Sequence, residues 1–315
     1  MTNIGNSPLD VYPLCLGTNP FGWTADELVS HSILDEYTGA GGNFLDTADI
    51  YANWVPGNSG GESEEIIGSW LAKKNRDELV VATKVGRMKG RTGLSTDSVN
   101  TGVEASLKRL GTDYIDLYYA HEPDPNTPLE ESVAVFAELQ KSGKIREIGL
   151  SNFNGNQVSE WIEEADRQGV PRPVALQPHY NLVWRQSFEG SLQFAAEEYD
   201  LGVMPYWSLG AGLLTGKYRS AEEISGSRAA TLEAHANPRA FEVVNALAEI
   251  AGELNVEPAS VAIAWLLTKP VVTAPIASAS RADQVPALLE GVSVSLSDQE
   301  ILRLDELSEG LGGAD

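Results

Sequence analysis

Two hydrophobic periods alternate along the chain. Eight short, nearly continuous apolar runs rich in β-forming residues occupy positions 13–17, 44–47, 79–85, 115–121, 145–150, 174–178, 202–206 and 272–277. Unbroken runs of this length suit strands buried on both faces, as in a parallel sheet. Between them, apolar residues recur at helical spacing. Residues 24–27 (TADE) read as a capping box, with Leu28, Val29, Ile33 and Tyr37 following on one face. Val99, Val103, Leu107 and Leu110 form a second stripe that Gly111 is expected to end. Thr127 and Pro128 open another helix, with the proline at its first position. Asn154 and Gln157 frame a capping box ahead of Val158, Trp161 and Ile162. Residues 62–65 (ESEE) suit a helix N-terminus, where the helix dipole favours carboxylates.

Strict alternation of eight strands with helices predicts an α/β chain folded as a (β/α)8 TIM barrel, one domain over residues 1–315. Residues 4–16 are expected to hold a short hairpin that closes the barrel floor. An open doubly wound sheet is the competing topology. Residues 17–22 (GTNPFG), after the first run, do not fit the glycine-rich phosphate loop such sheets carry. Extra length falls in 53–61, 219–237 and beyond 295, as expected for long loops at the carboxyl face.

Composition narrows the function classes. Hydrophobic residues make up 42% of the 315 positions, which argues against disorder. Cys15 is the only cysteine, so an intrachain disulfide and a multi-cysteine metal site are excluded, and no metal is expected. Residues 1–10 are polar and lack a secretory pattern. No apolar run reaches the roughly 18 residues of a membrane span, and a cytoplasmic protein with no membrane partner is expected. The net charge of −23 disfavours nucleic acid, and an anionic ligand would need a locally positive pocket. Nothing in the pattern sets an oligomeric state.

Three ionisable residues close successive apolar runs: Asp46, Lys84 and His121, with Tyr51 five residues after the first. In a barrel these strand ends converge on one mouth. A charge at the end of a buried strand is costly unless paired, and Asp46 and Lys84 on adjacent strands can pair, with the Tyr51 hydroxyl beside the lysine. A free phenol titrates near 10, roughly three units too high for easy proton transfer at neutral pH, and a nearby ammonium lowers it. His121 offers a second donor to a carbonyl oxygen that gains negative charge. No acyl nucleophile or metal cluster accompanies them, so a cofactor must bring the hydride. Singly, each residue has a plainer reading: Asp46 as a helix cap, Lys84 as a solvated strand end, Tyr51 as a rim aromatic, His121 as the ion-pair partner of Glu122. Trp23, Trp54 and Trp184 lie just past strand ends and suit an aromatic substrate wall. Trp70, Trp161 and Trp265 fall on helical apolar faces and suit the core, as does Cys15. His31, His179 and His235 read as structural or exposed, with His179 near enough to the mouth to line it.

At these residues the chain resembles the aldo-keto reductases, from about residue 14 to 289. Residues 41–51 (GGNFLDTADIY) are similar to the segment carrying the aspartate and tyrosine, 82–84 (ATK) to the lysine strand and 116–121 (DLYYAH) to the histidine strand. The resemblance implies NADP(H) as preferred cofactor, with NAD(H) possible, and an aldehyde, ketone or sugar as substrate, with Tyr51 as general acid and base. Segments 148–153 (IGLSNF) and 176–181 (LQPHYN) imply that Ser151, Asn152 and Gln177 hold the nicotinamide carboxamide. Segments 205–209 (PYWSL) and 212–218 (GLLTGKY) imply that Tyr206 stacks on the ring, with Ser208, Leu209, Ala211, Leu213, Gly216 and Lys217 around the phosphates. Residues 275–284 (PIASASRADQ) resemble the adenosine 2′-phosphate segment and imply roles there for Ile276, Ser278, Arg281 and Gln284. Ser278 and Leu288 depart from the residues many relatives carry at those positions, and Trp207 departs from the commoner small residue after the tyrosine. Specificity is expected in loops 53–61, 122–128 and 219–237. The alternative is a cofactor-binding regulatory subunit of the same fold; the lack of an N-terminal extension favours the enzyme. A barrel hydrolase using Asp46 and Glu122 leaves Lys84 and the 151–153 segment without roles.

Overall fold

The computed structural model describes residues 1–313 apart from 226–228, 230–231 and 233–235, so His235 lies outside the described residues. A two-stranded antiparallel hairpin, β1 (Thr2–Asn3) and β2 (Asp10–Val11), comes first. Eight parallel strands follow: β3 (Cys15–Gly17), β4 (Phe44–Asp46), β5 (Val80–Val85), β6 (Ile115–Ala120), β7 (Ile145–Ser151), β8 (Ala175–Gln177), β9 (Gly202–Val203) and β10 (Ile276–Ala277). They are hydrogen-bonded in the order β10-β3-β4-β5-β6-β7-β8-β9. The ends also meet: Thr273 N–H donates to Val203 O at 2.9 Å and Ile276 N–H to Pro205 O at 2.8 Å. The sheet therefore closes into a (β/α)8 barrel. All eight apolar runs hold a strand. The last two ladders are shorter than the runs suggest, because Pro205 and Pro275 have no N–H to give.

The helices are α1 (Glu27–Gly39), α2 (Glu62–Leu71), α3 (Thr96–Leu110), α4 (Leu129–Lys141), α5 (Gly155–Gln168), α6 (Ser191–Glu198), α7 (Pro238–Leu254), α8 (Pro258–Leu267), α9 (Val285–Glu290) and α10 (Asp298–Ser308). Gly111 ends α3 in the left-handed region (φ 64°), and the Asn154–Gln157 box opens α5 with both reciprocal bonds. Two helix starts differ from the sequence reading. Asp26, not Thr24, caps α1, its Oδ1 accepting from Val29 N–H at 2.9 Å. Leu28 is 81% exposed, since it lies five residues from Ile33 and so about 140° around the helix. Pro128 is the cap of α4 rather than its first helical residue. Trp70, Trp161, Trp265 and Cys15 are buried as expected. Among the described residues no single helix is long and apolar enough to cross a membrane.

Two packing layers result. Leu14, Leu16, Leu45, Val81, Val85 and Tyr118 point outward against the helices. Cys15, Phe44, Val80, Ala82, Leu117, Tyr119, Ala175, Met204 and Ile276 fill the barrel, and Ile4, Leu9 and Val11 of the hairpin segment pack against them from below. Gly149 makes room for this filling, since a Cβ there would stand 2.4 Å from the Tyr119 ring.

Candidate active site

Strand alternation builds the site. Inward side chains repeat every second residue, so two positions past the apolar filling the inward residues become Gly17, Asp46, Lys84, His121, Ser151, Gln177, Tyr206 and Ser278, one at the carboxyl end of each barrel strand. The shear of the barrel staggers them: Asp46 pairs with Ala82, and Lys84 with Tyr119. All but Lys84 line one cavity of about 1020 Å³.

At its floor, Lys84 Nζ donates to Asp46 Oδ2 at 2.6 Å, to Thr47 O at 2.7 Å and to the Tyr51 hydroxyl oxygen at 3.0 Å. The three ammonium protons are thus all used. Tyr51 O–H reaches Asp46 Oδ2 at 3.4 Å, and Gln177 Nε2 donates to Asp46 Oδ1 at 2.8 Å. Burial works against the lysine charge, but Asp46 and the Tyr51 oxygen outweigh it and Lys84 titrates above its ordinary value. Tyr51 departs from expectation. Burial pushes the phenol up and Asp46 adds to that; Lys84 opposes both, and the sum is about 12. The phenol is therefore held protonated. His121 is pulled well below the ordinary imidazole value by burial and then by Lys84 and Arg87, so its ring is neutral. Its Nδ1 is buried without a hydrogen-bond partner among the described residues. A buried lone pair costs less than a buried orphan N–H, which places the proton on Nε2, the ring nitrogen open to the cavity.

Beside this cluster, Asn152 adopts φ 62°, donates Nδ2–H to His121 O at 2.8 Å and accepts the Tyr206 O–H on Oδ1 at 2.9 Å. Ser151 O–H donates to Gln177 O at 3.0 Å. The Tyr206 ring stacks on His179 (5.2 Å between centroids), which stacks on Trp184 (4.6 Å). His179 and Trp184 thus back Tyr206 and do not line the cavity, which corrects the placement of Trp184 in a substrate wall. Trp54 lines the cavity; Trp23, expected in the same wall, does not, and meets Trp54 edge-on at 5.7 Å, while Trp207 supplies a further aromatic face. Farther along, Ser208, Leu209, Ala211, Lys217, Ile276, Ser278 and Gln284 line the cavity; Leu213, Gly216 and Arg281 do not. Leu213 is fully buried, and Gly216 turns the chain at φ 72°. Arg281 is held by Asp283, Nε to Oδ1 at 3.0 Å, with both side chains exposed.

The profile of the Aldo/keto reductase family matches residues 13–309. The chain belongs to the aldo/keto reductase family. It is 36% identical to "Uncharacterized oxidoreductase YrpG" of Bacillus subtilis, over 99% of this chain and 97% of that protein. It is 30% identical to "Protein tas" of Escherichia coli, over 97% and 96% of the two chains. It is 34% identical to "Probable voltage-gated potassium channel subunit beta" of Arabidopsis thaliana, over 93% and 90%.

This aldo/keto reductase barrel also carries features that motif reading passes over. Ala52, Asn152, Trp207 and Ala211 have positive φ without being glycine, and all lie on or next to cavity-lining residues. Backbone strain of this kind gathers at functional sites. Asn19 and Arg87 line the cavity, the former accepting the Ser278 O–H at 2.8 Å. Asp49, two residues before Tyr51, is 1% exposed, and neither carboxylate oxygen has a partner among the described residues. Burial and then Glu64 push its carboxyl up to about 7, with Arg109, Arg91 and Lys84 opposing.

Proposed function

We propose that the chain reduces the carbonyl group of an aldehyde, ketone or sugar with a nicotinamide dinucleotide, NADP(H) in preference to NAD(H), and oxidises the matching alcohol at the same site. The observation that carries this reading is the buried Lys84 ammonium joined to Asp46 and Tyr51 under a cavity that His121 also lines. The cavity is large enough for a dinucleotide and continues from Gln177 and Ser151 past Lys217 to Gln284 and Leu288. Its residues fit such a cofactor. Ser151, Asn152 and Gln177 would hold the carboxamide, the Tyr206 ring would stack on the nicotinamide, and the positive-φ turn at 210–212 with Lys217 would meet the pyrophosphate. Bound there, the nicotinamide supplies the hydride that the protein itself lacks.

The remaining chemistry belongs to the chain. Tyr51 gives its proton to the carbonyl oxygen, Lys84 holds the phenol in place and offsets the negative charge left on the phenolate, and His121 donates from Nε2 to the same oxygen. The exposed Arg281–Asp283 pair is worth about 0–1 kcal/mol at most, so a 2′-phosphate would take over the guanidinium. The single cysteine, buried and free, suits a reducing compartment such as the cytoplasm. The plant relative's name favours a second reading, a regulatory subunit that binds the cofactor with little turnover. Nicotinamide fluorescence followed by an absorbance assay with aldehydes, keto-sugars and ketones separates the two. Quenching with turnover is expected; quenching without turnover supports the regulatory subunit; neither would overturn the assignment of this cavity.

A further inference from the structure

Arg87 follows β5, three residues beyond Lys84, and lines the cavity together with Tyr51, Trp54, His121 and Trp207. Its Nε faces Glu122 Oε2 at 3.1 Å, with the side chains 47% and 43% exposed. Glu122 is not part of the cavity lining. The carboxylate therefore holds the guanidinium from outside, and among the described residues no hydrogen bond occupies its two terminal nitrogens. Among the described residues, the other charges near the reacting end are Asp46 and Lys84, which cancel, and a neutral His121. Lys217, Glu257 and Asp283 also line the cavity, but with the 208–217 and 276–288 segments. The reacting end thus presents a cationic fork between aromatic faces, in a chain whose net charge is −23.

Resting on the reductase reading above, we propose that Arg87 selects carbonyl compounds that also carry a carboxylate. The planar fork matches a carboxylate through two parallel N–H···O bonds. Trp54 and Trp207 would cover the body of the substrate between that carboxylate and the carbonyl group. The repulsive field of an acidic surface makes such a local cation the means by which an anionic substrate is retained.

The test compares para-carboxybenzaldehyde with its methyl ester, which keeps the ring and the aldehyde and loses the charge. The wild-type protein should show a kcat/KM about tenfold higher for the acid. Arg87→Met should bring the two substrates together, through a raised KM for the acid with kcat little altered, and should change the ester far less. Arg87→Lys keeps the charge without the fork and should fall between. A wild-type ratio near one, or a preference that survives Arg87→Met, would overturn the proposal. Calorimetry with para-(hydroxymethyl)benzoate reads the same contact without turnover. Absent turnover with Arg87-dependent binding would count against the reductase reading alone, and binding indifferent to Arg87→Met would count against the carboxylate site.

Discussion

Asp49 should make the folded protein less stable as pH rises, and Asp49→Asn should remove that dependence. An ordinary aspartate titrates at 3.8, whereas this carboxyl is pushed up to about 7 in the folded chain. A folded-state value above the unfolded one means the unfolded chain releases the proton first. The folded state then loses stability from about pH 4 to pH 7 and no more beyond. At 1.36 kcal/mol per unit, the roughly three-unit gap amounts to about 4 kcal/mol above pH 7 and about 1.5 kcal/mol at pH 5. Asn is neutral at every pH and nearly the same shape. Its stability advantage over wild type should therefore grow by about 2–3 kcal/mol between pH 5 and pH 8, roughly 3–5 °C in Tm for a chain of 315 residues. Circular dichroism melts of both proteins at several pH values measure this difference directly, because other titrating groups are common to both. An advantage that stays constant with pH, or a variant less stable than wild type at pH 8, would refute the reasoning. It would mean that the carboxylate is satisfied in the folded state.

Other expectations follow from single contacts. Gln177→Leu removes the donor on Asp46 Oδ1 and should lower stability by about 1.5–3 kcal/mol, the worth of a hydrogen bond to a charged group; an unchanged melting curve would contradict it. Gly149→Ala drives a methyl into the Tyr119 ring and should cost about 1–3 kcal/mol by overpacking, again read by thermal melting. Arg281→Ala should weaken NADPH about tenfold or more while sparing NADH, as measured by fluorescence titration; equal losses would remove Arg281 from the 2′-phosphate contact.

The barrel is legible in the sequence because strands packed on both faces must be apolar throughout, and eight such runs stand between helical stripes. The inward cluster is legible for a related reason. A period of two fixes which strand-end residues face the mouth, and Asp46, Lys84 and His121 are conspicuous exceptions to an apolar pattern. Contacts across the barrel are not legible in the same way. Asp46 and Gln177 sit on β4 and β8, four strands apart in the ring, and their meeting depends on the barrel's diameter rather than on local pattern. Trp184 shows the limit for loops: its position after a strand end suggests the cavity, but its ring turns to back His179. The balance at Tyr51 is likewise set by tertiary burial, which outweighs the ammonium that sequence reasoning could anticipate.

The central claim is that Tyr51 carries the proton, and kcat measured in both directions across pH 6–10, for wild type and Tyr51→Phe, tests it most directly. Phenylalanine keeps the ring and removes only the hydroxyl, so cofactor binding should persist while turnover falls by about 10²–10⁴. With the phenol at about 12, carbonyl reduction by wild type should be nearly flat to pH 10. Alcohol oxidation needs the phenolate and should climb with pH over the same range. A Phe variant with near wild-type turnover and an unchanged pH profile would show that the proton comes from another group, with His121 the next candidate.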